Sequence, residues 1–164
     1  MKNMVVWVAD IGSIKQKHFG WCRGIGQDDR KHGTDIENFV DGIVNDLINE
    51  KKVAIGFECP LFVPIADKPE DLTKRREGEN NRPWSAGAGC CSLATGLAEC
   101  VWIFERIKKS KVEVKPTFSW KDFRLNESNF FIWEAFVTSQ SKEDSNSDSH
   151  SMDAQKVVNR FVEC

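Results

Sequence analysis

Three acids stand where carboxylates do chemistry. Asp10 ends an apolar run, Met4-Val5-Val6-Trp7-Val8-Ala9, and Glu58 ends a second, Val53-Ala54-Ile55-Gly56-Phe57. Asp153 opens the last helical pattern, in His150-Ser151-Met152-Asp153-Ala154. In an open α/β sheet, ligands gather at the carboxyl ends of the strands. Acids at two strand ends and one helix start can converge there on a divalent cation. The chemistry such a cluster suits is metal-assisted cleavage of a phosphodiester bond.

Each acid also has a plainer reading. Asp10 before Ile11-Gly12 can simply close a turn. Glu58 before Cys59-Pro60 is harder to dismiss, because Glu has no particular turn preference. Helical steps from His150 give Asp153, Ala154, Val157, Val158 and Phe161, so the apolar face of the last helix runs straight into His150 and Asp153. An acid on a core-facing stripe needs a partner. A metal is one such partner, and the dipole of the helix's first turn is another.

The elements that must position these residues follow from periodicity. Residues 4–9 read as a first strand and 17–23 as a second, folding back as a hairpin. Residues 25–33 read as either a short third strand or a loop. Residues 35–50 carry the strongest helical pattern, with Ile36, Phe39, Val40, Ile43, Val44, Leu47 and Ile48 on one face and Thr34 and Glu37 as a capping box. Gly42 within it allows close packing. Residues 52–58 read as a buried parallel strand. The irregular stretch 60–90 holds four of the five prolines, and so long a loop in a compact domain is more often functional than idle. A second helix is expected over 91–108, with Leu93, Leu97, Cys100, Val101, Phe104 and Ile107 as its stripe. A short edge strand is expected at 111–115 and a further strand at 130–137. A polar Ser-rich linker at 139–149 and a last helix at 151–163 complete the chain. The order implies an α/β fold, a mixed sheet of about five strands flanked by helices.

The bulk numbers bound the rest. The 164 residues are the size of a single domain, 1–164. A net charge of −2 argues against a general polyanion-coating protein, but a metal site needs carboxylates and so stays open. The N-terminus enters a strand too short for a signal segment, and no later segment reads as long enough to span a membrane. A cytoplasmic protein without membrane association is expected, with a homodimer as one assembly open to it. The six cysteines, Cys22, Cys59, Cys90, Cys91, Cys100 and Cys164, contain no C-x-x-C pair. They read as reduced, small buried residues, the alternative being zinc held by His18, Cys22 and the Cys90-Cys91 pair.

The order of strand-end Asp, hairpin, helix, strand-end Glu and acid-bearing last helix resembles the ribonuclease H-like superfamily. His150-x-x-Asp153 is similar to the last-helix pair of its Holliday-junction resolvase branch. Val53 to Pro64, with Glu58-Cys59-Pro60-Leu61 at its centre, resembles a strand-acid-x-Pro-Leu motif in an uncharacterised family of predicted ribonuclease H-like nucleases. In that family an Arg-rich segment follows, as Lys74-Arg75-Arg76 does here. A later strand there carries a Glu comparable with Glu134. The resemblance covers nearly the whole chain in order, although its motifs are short. It implies a ribonuclease H-like sheet and a metal-dependent nuclease using Mg²⁺ or Mn²⁺. Asp10 would bridge two metals, Glu58 and Asp153 would hold one each, and Glu134 would be a further ligand. His150 would be a ligand or the base for the attacking water.

Lys74, Arg75, Arg76 and Arg82 would clamp phosphates of a nucleic-acid partner, or else form a solvated charge run. Trp84 would stack on a base or pack locally. Glu37 occupies the first helix, where ribonuclease H proper has an acid, but its capping role accounts for it. Two rivals remain. Asp10-Ile11-Gly12-Ser13 also looks like a first phosphate loop of the actin and sugar-kinase group, which needs two such domains and more chain. The other is a non-catalytic ribonuclease H-like module that binds nucleic acid or a protein.

Overall fold

A computed structural model of the chain describes residues 3–25, 29–77, 79, 83–135, 154–155, 157–158 and 161. The first strand, β1 (Met4–Asp10), is buried along almost its whole length because helices cover both its faces. It pairs antiparallel with β2 (Gly20–Ile25), which pairs antiparallel with β3 (Asp29–Gly33). On its other side β1 runs parallel to β4 (Lys52–Phe57). Next to β4 lies β6 (Phe130–Glu134), also parallel, and the two-residue β5 (Pro116–Thr117) closes the edge. The sheet thus has six strands in the order β3-β2-β1-β4-β6-β5, one more than expected. The third strand is real, and the edge strand lies just beyond the 111–115 segment.

Helix α1 (Ile36–Ile48) forms where the periodicity predicts it, but its cap differs from expectation. The carboxylate of Asp35, not Thr34, accepts the Asn38 N–H at 2.8 Å, and Glu37 lies in the first turn beside the positive helix end. Phe39, Val40, Ile43 and Leu47 pack on the sheet face that carries Val5, Trp7, Val53 and Ile55. Gly42 is where the helix meets Trp7: a Cβ there would lie 2.2 Å from the Trp7 ring. Gly42→Ala should therefore force α1 off the sheet and cost about 1–3 kcal/mol, more than the helix propensity gained. Thermal denaturation checks this, and a stabilised variant would contradict it.

Helix α2 (Gly87–Lys109) covers the same face as α1 but begins four residues earlier than the sequence pattern suggests. At 23 residues, with an 18-residue stretch of mean hydropathy 1.4, it is long and apolar enough to cross a membrane by length and composition, against the expectation that no segment is. Its buried positions are Gly96, Glu99, Cys100, Ile103 and Ile107, whereas Leu97 and Val101, expected inside, are 64% and 56% exposed. With apolar residues at exposed Leu97 and Val101 as well as on the buried stripe, the helix does not declare its inner face by periodicity. The opposite sheet face is covered by the short α3 (Trp120–Arg124), unforeseen in the sequence, and by helical residues of the last segment. Ala154, Val157 and Val158 pack there with Val6, Val8, Cys22, Ala54 and Phe131, and Phe161 stacks on Trp133 at 4.8 Å. The Ser-rich stretch 139–149 and positions 136–137 lie outside the described residues.

Candidate functional site

Strand register sets one edge of the sheet. Ala9 lies opposite Phe57, and Phe57 opposite Glu134. The ladder continues one step, with the Glu58 N–H donating to the Ala9 carbonyl and the Ala135 N–H to the Phe57 carbonyl, both at 2.8 Å. Asp10, Glu58 and Ala135 therefore stand in a row across β1, β4 and β6 at their carboxyl ends. Alternation along each strand fixes the face. Val6 and Val8 belong to the second core cluster, and the same parity carries Asp10 to that face. Ala54 and Gly56 do the same for Glu58; a Cβ on Gly56 would meet Trp133 and Ala135. Ala154 is buried in this cluster too. Its predecessor Asp153, together with His150 and Arg82, lies outside the described residues.

Glu134 is turned the other way, sharing the first face with Phe130 and Ile132 as its strand parity requires. Its carboxylate accepts the Leu61 N–H at 2.7 Å, the Phe62 N–H at 3.3 Å and the Arg76 guanidinium at 2.8 and 2.9 Å. Arg76 also grips Glu79 at 2.6 Å. Burial works against the Glu79 charge, but the N–H groups of Arg76 and Trp84 and the Arg76 guanidinium outweigh it and hold that carboxyl below its ordinary range. The indole N–H of buried Trp84 donates to the Lys74 carbonyl at 3.1 Å, so this ring packs the loop. Glu134 thus anchors the long loop, its Oε1 accepting from Leu61, Phe62 and Arg76 and its Oε2 from Arg76. Of the basic run, Arg76 faces inward, while Lys74, 3.5 Å from Asp71, and Arg75 are exposed. Arg76→Ala should strand Glu134 and Glu79 and loosen residues 60–77. The expected result is several-fold faster limited proteolysis within that loop and a loss of about 2 kcal/mol. Unchanged proteolysis would contradict the anchoring role.

One acid at this edge was not foreseen. Glu99, on the inner stripe of α2, is 8% exposed. The Gly12 N–H, two residues beyond Asp10, donates to its carboxylate. Burial pushes the Glu99 carboxyl up to about 7; the Gly12 N–H opposes the rise and the charge of Asp10 adds to it. Its Oε2 is buried and has no hydrogen-bond partner among the described residues. Two features of α2 bring it there. The Ser92 hydroxyl donates to the Glu58 carbonyl at 3.3 Å, and Gly96 abuts Cys59 so closely that a Cβ would lie 2.4 Å from its Sγ. The signal in the sequence was a lone acid among apolar neighbours of a helix, which a stripe drawn through Leu97 and Val101 turns outward.

Two mutually repelling carboxylates suit a hard divalent cation, because Mg²⁺ takes few protein oxygens and keeps several waters. A closed cage is another matter: among the described residues no group of three or more His, Cys, Asp and Glu side chains is placed to hold a metal ion. The zinc alternative is likewise not assembled, since Cys22 is buried in the second cluster while Cys90 and Cys91 are exposed. All five described cysteines are free thiols. No family model, no curated protein and no solved structure matches this chain.

Proposed function

We propose that the chain is a metal-dependent nuclease with a ribonuclease H-like sheet, hydrolysing phosphodiester bonds of nucleic acid with Mg²⁺ or Mn²⁺. The observation that carries this reading is the register: Asp10 and Glu58 end adjacent parallel strands and lie on one face of the sheet. The antiparallel β3-β2-β1 unit continued by parallel β4 and β6 supports the fold part, because it keeps the element order on which the resemblance rests.

In this reading Asp10 and Glu58 hold the cation. Asp153 and His150 join them on sequence adjacency to the buried Ala154 alone. Bound Mg²⁺ or Mn²⁺ supplies an activated water and stabilises the leaving oxygen of an in-line displacement. Lys74 and Arg75 are exposed and suited to meet phosphate, whereas Arg76 is committed to Glu79 and Glu134. The test is incubation of the protein with labelled single-stranded, double-stranded, hybrid and branched nucleic acids, with Mg²⁺, Mn²⁺ or EDTA. Metal-dependent cleavage is expected, and it names the substrate class. Absence of cleavage across the panel by folded protein would discard the nuclease. The lack of a three-ligand group among the described residues favours one second reading, a non-catalytic module that binds nucleic acid or a protein on the same scaffold.

A further inference from the structure

We infer that Glu99 is a ligand of the cation site, so that a divalent metal is held between the end of β1 and the middle of α2, by Asp10 and Glu99 together. This rests on the reading of Asp10 as a metal ligand and adds to it a residue from a helix that the resemblance does not involve.

The argument starts from what Glu99 lacks. It is more than nine-tenths buried, and one of its carboxylate oxygens has no donor among the described residues. A buried acceptor left in that state is destabilising, more so when it is charged, and calls for an explanation. Among the described residues the charge acting on Glu99 is that of another carboxylate, Asp10, and the end of β1 lies against this part of α2, where a Cβ on Gly96 would be 3.7 Å from the Ile11 side chain. A helix interior can place Glu outward at no cost, yet α2 places this one on the stripe of Cys100, Ile103 and Ile107. The stripe is enforced by Gly96, one turn earlier, which admits Cys59 where any side chain would collide.

Accepting the Gly12 N–H accounts for one oxygen only, and an amide would accept it equally well. A second carboxylate oxygen, buried beside a second acid, is the arrangement a hard cation satisfies. Two side-chain oxygens with water completing the shell is an ordinary Mg²⁺ or Mn²⁺ complement. Glu58, in line with Asp10 one strand over, is the neighbour placed to extend it.

The experiment is Mn²⁺ titration of the full chain, followed by calorimetry and by electron paramagnetic resonance of free Mn²⁺. Wild type, Glu99→Gln and Asp10→Asn are compared, each with its melting temperature in EDTA. Glu99→Gln keeps an acceptor for Gly12 and removes only the charge. The inference expects Mn²⁺ binding by wild type, weakened roughly tenfold or more in both variants, with neither melting lower in EDTA. In amide spectra Mn²⁺ should broaden Gly12 and Glu99 first. Wild-type affinity in Glu99→Gln alongside loss in Asp10→Asn would overturn Glu99 as a ligand and leave Asp10 standing. No Mn²⁺ binding by wild type at millimolar metal would overturn both readings. Should Glu99→Gln not fold, Glu99→Asp, which withdraws the carboxylate by one methylene, is held to the same comparison.

Discussion

Asp10→Asn is expected to abolish metal-dependent cleavage while leaving the fold intact. The residue ends the central strand, is 6% exposed, and stands in line with Glu58 across the β1–β4 ladder. Asparagine has nearly the same shape, so the packing around Val8 and Ala9 is preserved. What disappears is one negative charge at the proposed cation site. Metal-derived charge stabilisation is worth several kcal/mol in a transition state. Losing about 4 kcal/mol of it lowers the rate about a thousand-fold. Stability should hold or rise, because Asp10 and Glu99 repel one another in the metal-free protein. The measurements are single-turnover cleavage rate and melting temperature on the same preparation. A variant that cleaves as fast as wild type would remove Asp10 from the site and the nuclease assignment with it.

Asp46→Ala is expected to be the most destabilising single change among the described polar residues, without touching the site. Asp46, on α1, has a side chain 2% exposed and sits at the centre of a buried network. It accepts from Arg23 at 2.8 and 2.9 Å, from Lys51 at 3.0 Å and from the Trp7 indole at 3.0 Å. Removing it leaves the Arg23 guanidinium, itself 9% exposed, with half-exposed Asp29 at 3.2 Å as its one ion-pair partner among the described residues. Breaking such a buried pair costs about 3–5 kcal/mol. For a chain of this size that lowers the melting temperature by about 10 °C. A shift of less than about 2 °C would show the network to be dispensable. Replacing Arg23 and Asp46 together by apolar residues should restore much of the loss, since no charge is then stranded.

The same residue sets a pH dependence. Burial raises the Asp46 carboxyl, but the hydrogen bonds from Arg23, Lys51 and Trp7 outweigh it and hold the carboxyl below its ordinary value. The unfolded chain therefore binds the proton more readily than the folded one. The contribution of Asp46 is fully present above the ordinary carboxylate value of about 4 and is lost as pH falls through the depressed folded value. Wild type should lose stability steeply below about pH 4, and Asp46→Ala should lose less over the same interval. Denaturant midpoints at a series of pH values measure the difference.

Local pattern made several elements legible. α1 was readable because its apolar residues recur at helical spacing, and β1 and β4 because each is a short unbroken apolar run closed by an acid and turn residues. Asp10 and Glu58 were readable for a related reason: each interrupts an apolar strand at the end where α/β sheets bind ligands. Asp46 was not, because a helical acid looks alike whether it faces water or an arginine brought up by another strand. The face of Glu134 followed from strand parity, but its engagement by Arg76 depends on how a thirty-residue loop folds back.

The chain alone determined an α/β class, the order of its longer helices and strands, and two acids at strand ends; α3, the edge strand and the pairing of β1 with β4 came from the tertiary structure. The former properties depend on residues close in sequence, where periodicity and turn chemistry operate. The tertiary structure decided which face of α2 is inside, and with it that Glu99 reaches Gly12 and Asp10. That helix carries apolar residues on its exposed side too, at Leu97 and Val101, so its inner face depends on contacts far apart in sequence, Gly96 with Cys59 and Ser92 with the Glu58 carbonyl.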